Sequence, residues 1–91
     1  MSAVNRHAHP EKRARFLAAR RSMLELELVL TRFVEEYLGE PGGDAHALVA
    51  ALELDDPVLA AALSGRPVEA LGPQAPVLER LRLFGRRTLD L

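Results

Sequence analysis

The run Arg20-Arg21-Ser22-Met23-Leu24-Glu25-Leu26-Glu27-Leu28-Val29-Leu30-Thr31-Arg32-Phe33-Val34-Glu35-Glu36-Tyr37-Leu38 decides the fold. Leu26, Leu30, Phe33 and Tyr37 recur at spacings of 4, 3 and 4. That is one stripe of a helix with about 3.6 residues per turn. Val29, Val34 and Leu38 widen the stripe, while Glu25, Glu27, Arg32, Glu35 and Glu36 lie largely off it. A helix from about Met23 to Leu38, with one face for a core, is the expectation. Tyr37 closes the stripe and is expected to keep its hydroxyl at the surface. At the helix start, Ser22-Met23-Leu24-Glu25 fits a capping box. The Glu25 N–H would donate to the Ser22 hydroxyl, and the Ser22 N–H to the Glu25 carboxylate. Glu25 also suits the positive first turn. The cap leaves Arg21 unexplained. A helix continuing through Arg21 and Glu25 would pair them at a gain of about 0.2–0.5 kcal/mol. Whether the preceding helix breaks at Arg21-Ser22 or runs on is open at this level.

Working outward, residues 1–9 are polar, short and aperiodic, and are expected to be a mobile start. Pro10 suits the first position of a helix. That helix runs to about Arg20, with Ala14, Leu17 and Ala18 on one side. After Leu38, Gly39 ends the helix and Pro41-Gly42-Gly43 forms a loop. Asp44 caps a third helix, from about Ala45 to Leu54, with Leu48 and Leu52 as its stripe. Asp56 is expected to cap a fourth, with Pro57 in its first turn and Leu59 and Leu63 inward. Gly65 stops it near Ser64. A connector rich in Pro and Gly leads to a fifth helix, from about Ala75 to Phe84 or slightly beyond. There Val77, Leu81 and Phe84 share a face. The expected fold is all-α, a compact small bundle of about five helices. Residues 10–85 form its single domain and 86–91 a tail.

Composition supports this architecture. The 91 residues are 48% hydrophobic, mostly leucine and alanine, and only 4% aromatic. Helix formers dominate, and the β-branched and aromatic residues of a sheet are scarce. A chain of this size makes one domain with a stability of about 5–10 kcal/mol. With no cysteine, disulfides, thiolate metal sites and cysteine nucleophiles are excluded. No apolar run approaches the roughly 18 residues of a membrane span, and Met1 to His9 lack the apolar segment of a secretory signal. A cytoplasmic protein that does not enter the membrane is expected.

The net charge of −1 is unevenly spread. Arg6, Lys12, Arg13, Arg15, Arg20 and Arg21 crowd the start. Acids dominate from Ser22 to Asp56, and arginines again after Pro57. Such asymmetry points to contacts between segments or with a partner. The basic start lacks aromatic interleaving or a binding motif, so nucleic acid is not the expected partner.

Little in the sequence suggests catalysis. His7 and His9 fall in the mobile start without a completing carboxylate pattern. His46 sits in the first turn of the third helix and is expected to be exposed. Gly42-Gly43 follows no strand and lacks the spacing of a phosphate loop. No cofactor or metal is therefore expected on this chain. The pairs Glu35-Glu36 and Asp55-Asp56 read as a solvated face and a cap. Met23 reads as a core filler.

Arg21-Ser22-Met23-Leu24-Glu25 resembles the Arg-Gly-x-x-Glu motif of the succinate dehydrogenase assembly factors. The resemblance extends through Arg20-Arg21-x-Met23-Leu24-Glu25-Leu26, Phe33, Glu36-Tyr37 and Leu52-Glu53-x-Asp55-Asp56-Pro57-x-Leu59, then Leu63. It covers roughly residues 12–85. Two positions depart from it. Ser22 stands where the family has glycine, and Ala62 where a tryptophan is usual. The resemblance implies a small helical protein that helps attach FAD covalently to a flavoprotein. Its partner would be the flavoprotein subunit of succinate dehydrogenase or fumarate reductase, and the FAD would belong to that partner. It further implies a partner-binding patch at Arg21, Ser22 and Glu25, with Arg20 and Arg15 as a basic rim and Asp55 and Asp56 alongside. The free protein is then expected to be a monomer and not an enzyme. Some bacterial relatives are catalogued as antitoxins, so an antitoxin-type or other protein-binding module is the alternative.

Overall fold

A computed structural model describes residues 9–69 and 72–89 of the chain. Among the described residues five helices follow one another: α1 (Pro10–Ala19), α2 (Leu24–Gly39), α3 (Ala45–Leu52), α4 (Asp56–Leu63) and α5 (Gln74–Leu89). Among the described residues there is no strand. The expected all-α bundle is the observed one. The expected mobile start lies, apart from His9, outside the described residues.

The α2 stripe turns inward as its spacing requires. Leu26, Leu30, Phe33, Val34 and Tyr37 are all buried, Leu30 and Val34 completely. Leu48 and Leu52 of α3, Leu59 and Leu63 of α4, and Val77, Leu81 and Phe84 of α5 complete the core. Phe33 meets Phe84 edge-on at 5.4 Å between ring centroids, a favoured geometry for an aromatic pair. α1 packs on α2 and α3, and α5 on α3 and α4. α1 offers only Ala14 and Ala18 as fully buried residues. Their small side chains let that helix approach closely. Ala62 is also buried.

Capping explains several boundaries. The Asp44 carboxylate accepts from the N–H groups of His46 at 3.0 Å and Ala47 at 3.2 Å, as expected of an N-cap. α4 ends on Gly65 at φ +86°. The Gly65 N–H donates to Ala62 O and the Arg66 N–H to Ala61 O, a complete Schellman motif that needs the left-handed glycine.

The question left open at the α1–α2 junction is answered: α1 ends at Ala19, and residues 20–23 are not helical. Other expectations fail here. The capping box at Ser22 does not form. α2 begins at Leu24 after Met23, and no side chain caps it. Asp56 is not the N-cap of α4; Asp55 holds that position, and Asp56 is the first helical residue. Met23 is 45% exposed rather than in the core. α5 continues through Gly85 to Leu89, so residues 86–89 are helical. The Tyr37 hydroxyl accepts from the Asp44 N–H at 3.4 Å, in a side chain that is buried.

Candidate functional site

Two parts of the chain far apart in sequence meet at the α1–α2 junction. Arg21 is where they join. Its Nε donates to Leu17 O at 3.0 Å, in the last turn of α1. Its Nη2 donates to Leu52 O at 2.9 Å, at the end of α3. Its Nη1 donates to Leu54 O at 3.5 Å and lies 3.1 Å from Oδ1 of Asp56. The carbonyls at a helix C-terminus lack intrahelical partners and carry partial negative charge. A planar, permanently charged fork serves several such acceptors at once. The Arg21 side chain is 8% exposed and that of Asp56 is 17%.

The second oxygen of Asp56 explains why the capping box fails. Oδ2 accepts from the Ser22 N–H at 3.1 Å and from the Ser22 hydroxyl at 2.7 Å. The Ser22 N–H that the box would give to the Glu25 carboxylate goes to Asp56 instead, and with Met23 at the N-cap α2 starts one residue later than the box requires. The Ser22 hydroxyl, with help from the Ser22 and Met23 amides and the Arg21 charge, holds the Asp56 carboxyl below its ordinary pKa despite its partial burial.

Arg20, Arg21, Ser22, Asp55 and Asp56 therefore line one open groove of about 480 Å³. Glu53 joins them there, a residue that the sequence reading matched to the family run but did not place in the binding patch. Arg20 lies over the ring of Phe16 at 5.0 Å, and Arg13 over the same ring at 5.8 Å. Glu25 is exposed in the first turn of α2, outside the groove. Arg15 is elsewhere: its Nε donates to Glu35 at 2.6 Å, an exposed pair bridging α1 and α2. Arg21 pairs with Asp56 rather than with Glu25.

Following Ser22 in the chain, Met23, Leu24 and Leu28 are 45%, 68% and 58% exposed. Their signal was present in the sequence. Leu24 and Leu28 are four apart and fall off the Leu26–Leu30 stripe, so they share the opposite face. His46 is exposed as expected. Among the described residues, no group of three or more His, Asp or Glu is placed to hold a metal, and no helix is long and apolar enough to cross a membrane.

A second groove, of about 440 Å³, has Phe33, Tyr37 and Phe84 as its floor. Two of its rim arginines are paired: Arg80 with Glu40 and Arg87 with Glu36. Those carboxylates already answer both cations.

A family model described as flavinator of succinate dehydrogenase matches residues 12–84, most of the chain and all of the α1–α2 junction. No curated protein and no solved structure gives a match.

Proposed function

The chain belongs to the family of flavinators of succinate dehydrogenase, and on that premise we propose that it is an assembly chaperone for a flavoprotein subunit. The partner is the flavoprotein subunit of succinate dehydrogenase or fumarate reductase. The chain binds it in a form that favours covalent attachment of FAD. The flavin chemistry belongs to the cofactor and the partner, so the chain acts by binding and is not an enzyme. It holds no cofactor or metal of its own. In this reading the free protein is a cytoplasmic monomer that neither inserts into membranes nor binds nucleic acid.

The observation that carries this reading is that the family match spans the junction. The proposed binding surface is built on it. Arg20, Ser22, Glu25 and Asp55 supply its polar groups, Arg21 and Asp56 form its base, and Arg15 lies at its margin. Met23, Leu24 and Leu28 supply apolar area, which a partner would cover. Aliphatic anchors beside polar rim groups are the usual anatomy of a protein interface.

The test is direct. The flavoprotein subunit is purified without flavin and incubated with FAD, with and without this protein. It is then denatured, and flavin fluorescence is read on the polypeptide. Covalent flavin should rise with added protein. Equal yields with and without it would refute the chaperone role.

A further inference from the structure

The guanidinium of Arg21 is occupied from within. Its acceptors are Leu17 O, Leu52 O, Leu54 O and the Asp56 carboxylate. They belong to the end of α1, the end of α3, the α3–α4 link and the start of α4. A side chain 8% exposed and so engaged has little to offer another molecule. The residues it anchors differ in this respect. Arg20, Ser22, Met23 and Leu24 are exposed, and residues 20–23 are not helical. Ser22, in the middle of this link, is tied to the rest of the fold through Asp56, by its N–H and its hydroxyl.

We infer that Arg21 and Asp56 are positioning residues, forming a latch that fixes the α1–α2 link in the one arrangement a partner protein recognises. This rests on the chaperone reading, which supplies the partner. Without the latch, the link samples other arrangements and only a fraction of molecules is competent. Apparent affinity then falls by that fraction. The loss lies in the association rate, because the contacts made once bound are unchanged. Removing a side chain that touches the partner has the opposite signature, a faster dissociation rate.

The full-length chain is tested as Asp56→Asn and Arg21→Lys. Asp56→Asn keeps shape and one oxygen, so it carries the test even where Arg21→Lys fails to fold. Amide hydrogen exchange of the free protein comes first. Exchange at Ser22 should accelerate by about tenfold, while Leu30 to Val34 in the α2 core stay protected. Unchanged exchange at Ser22 would overturn the latch with no partner involved. Rates with the flavin-free flavoprotein subunit come second. The association rate should fall by about tenfold, with dissociation within about twofold of wild type. Faster dissociation at an unchanged association rate would assign Arg21 to direct contact and overturn the inference, as would wild-type values for both rates. A wild-type protein that does not bind the subunit would instead refute the chaperone reading, and with it the partner-binding role of the latch. The exchange data would still show whether the latch orders the link.

Discussion

Asp56 holds Ser22 from across the molecule: its Oδ2 accepts both the N–H and the hydroxyl of Ser22, at 3.1 and 2.7 Å. Its Oδ1 faces Arg21 at 3.1 Å. One carboxylate thus joins the start of α4 to the link between α1 and α2.

Loss of the cation should be costly. Arg21→Ala leaves Asp56 without its ion pair and takes a donor from the carbonyls of Leu17, Leu52 and Leu54, of which Leu17 O keeps the Arg20 N–H. Breaking a largely buried pair from one side costs about 3–5 kcal/mol. That is a large share of the stability of a domain this size, about 5–10 kcal/mol. Urea unfolding of the variant should show a midpoint shifted far down or a chain already unfolded in buffer. A shift corresponding to less than about 1 kcal/mol would place this pair with ordinary surface ion pairs.

Acid should release the same latch. The folded state holds the Asp56 pKa below its ordinary value, so the folded state binds the proton less readily than the unfolded chain. The stability this contributes is fully present above the unfolded value, about 3.9. It is lost as pH falls below that value and through the folded one. Wild type should therefore lose stability steeply below about pH 4. Asp56→Asn, with nothing to protonate there, should lose less between pH 5 and pH 3. Parallel losses in the two proteins would place the acid sensitivity elsewhere, for instance at Glu35, Glu40 or Glu79, whose pKa values are also lowered by arginine partners.

Gly85 should not tolerate a methyl group. A Cβ built there would lie 2.2 Å from the backbone oxygen of Leu63, where α4 and α5 cross. The obstacle is backbone, not a flexible side-chain tip. Gly85→Ala should destabilise by about 1–3 kcal/mol or more, although alanine is the better helix former. A raised melting temperature would show that the crossing is looser than it stands here.

Leu30 is fully buried in the middle of α2. Leu30→Ala should cost about 2–5 kcal/mol, read as a lowered midpoint in thermal or urea unfolding. Partner binding should fall only in step with the folded fraction, because Leu30 lies under the surface and not on it.

Periodicity and caps made the fold legible. The stripe from Leu26 to Tyr37, the Asp44 cap and the Gly65 stop are local signals, and each stands where it was read. The candidate site was legible only in pieces. The resemblance put Arg21, Ser22, Asp55 and Asp56 in one patch, but the residues alone read Ser22 and Asp56 as two separate caps; their meeting depends on how α1 packs on α3, which no spacing encodes. Ser22 shows the cost of a purely local reading. Its capping partner was three residues on, and the acceptor it uses is 34 away. Gly85 is not legible in this way either: no local signal shows that its missing side chain makes room for the Leu63 carbonyl.

Glu25 is the residue on which contact and scaffold separate most cleanly. It is exposed in the first turn of α2. The reciprocal cap that would have given it a structural duty is absent, because the Ser22 N–H is given to Asp56 and Met23 holds the N-cap position. What remains is its charge near a helix N-terminus, worth about 0.3–1 kcal/mol. Glu25→Gln should therefore leave the melting temperature almost unchanged. If Glu25 meets a cation or N–H donor of the flavoprotein, the neutral amide forfeits a charge-assisted bond. Dissociation should then quicken at an unchanged association rate, opposite to the signature expected of the latch variants. The yield of covalent flavin at limiting protein should fall with it. A Glu25→Gln protein that melts, binds and supports flavinylation like wild type would remove Glu25 from the binding surface and leave that surface to Arg20, Ser22 and the apolar side chains around Leu24.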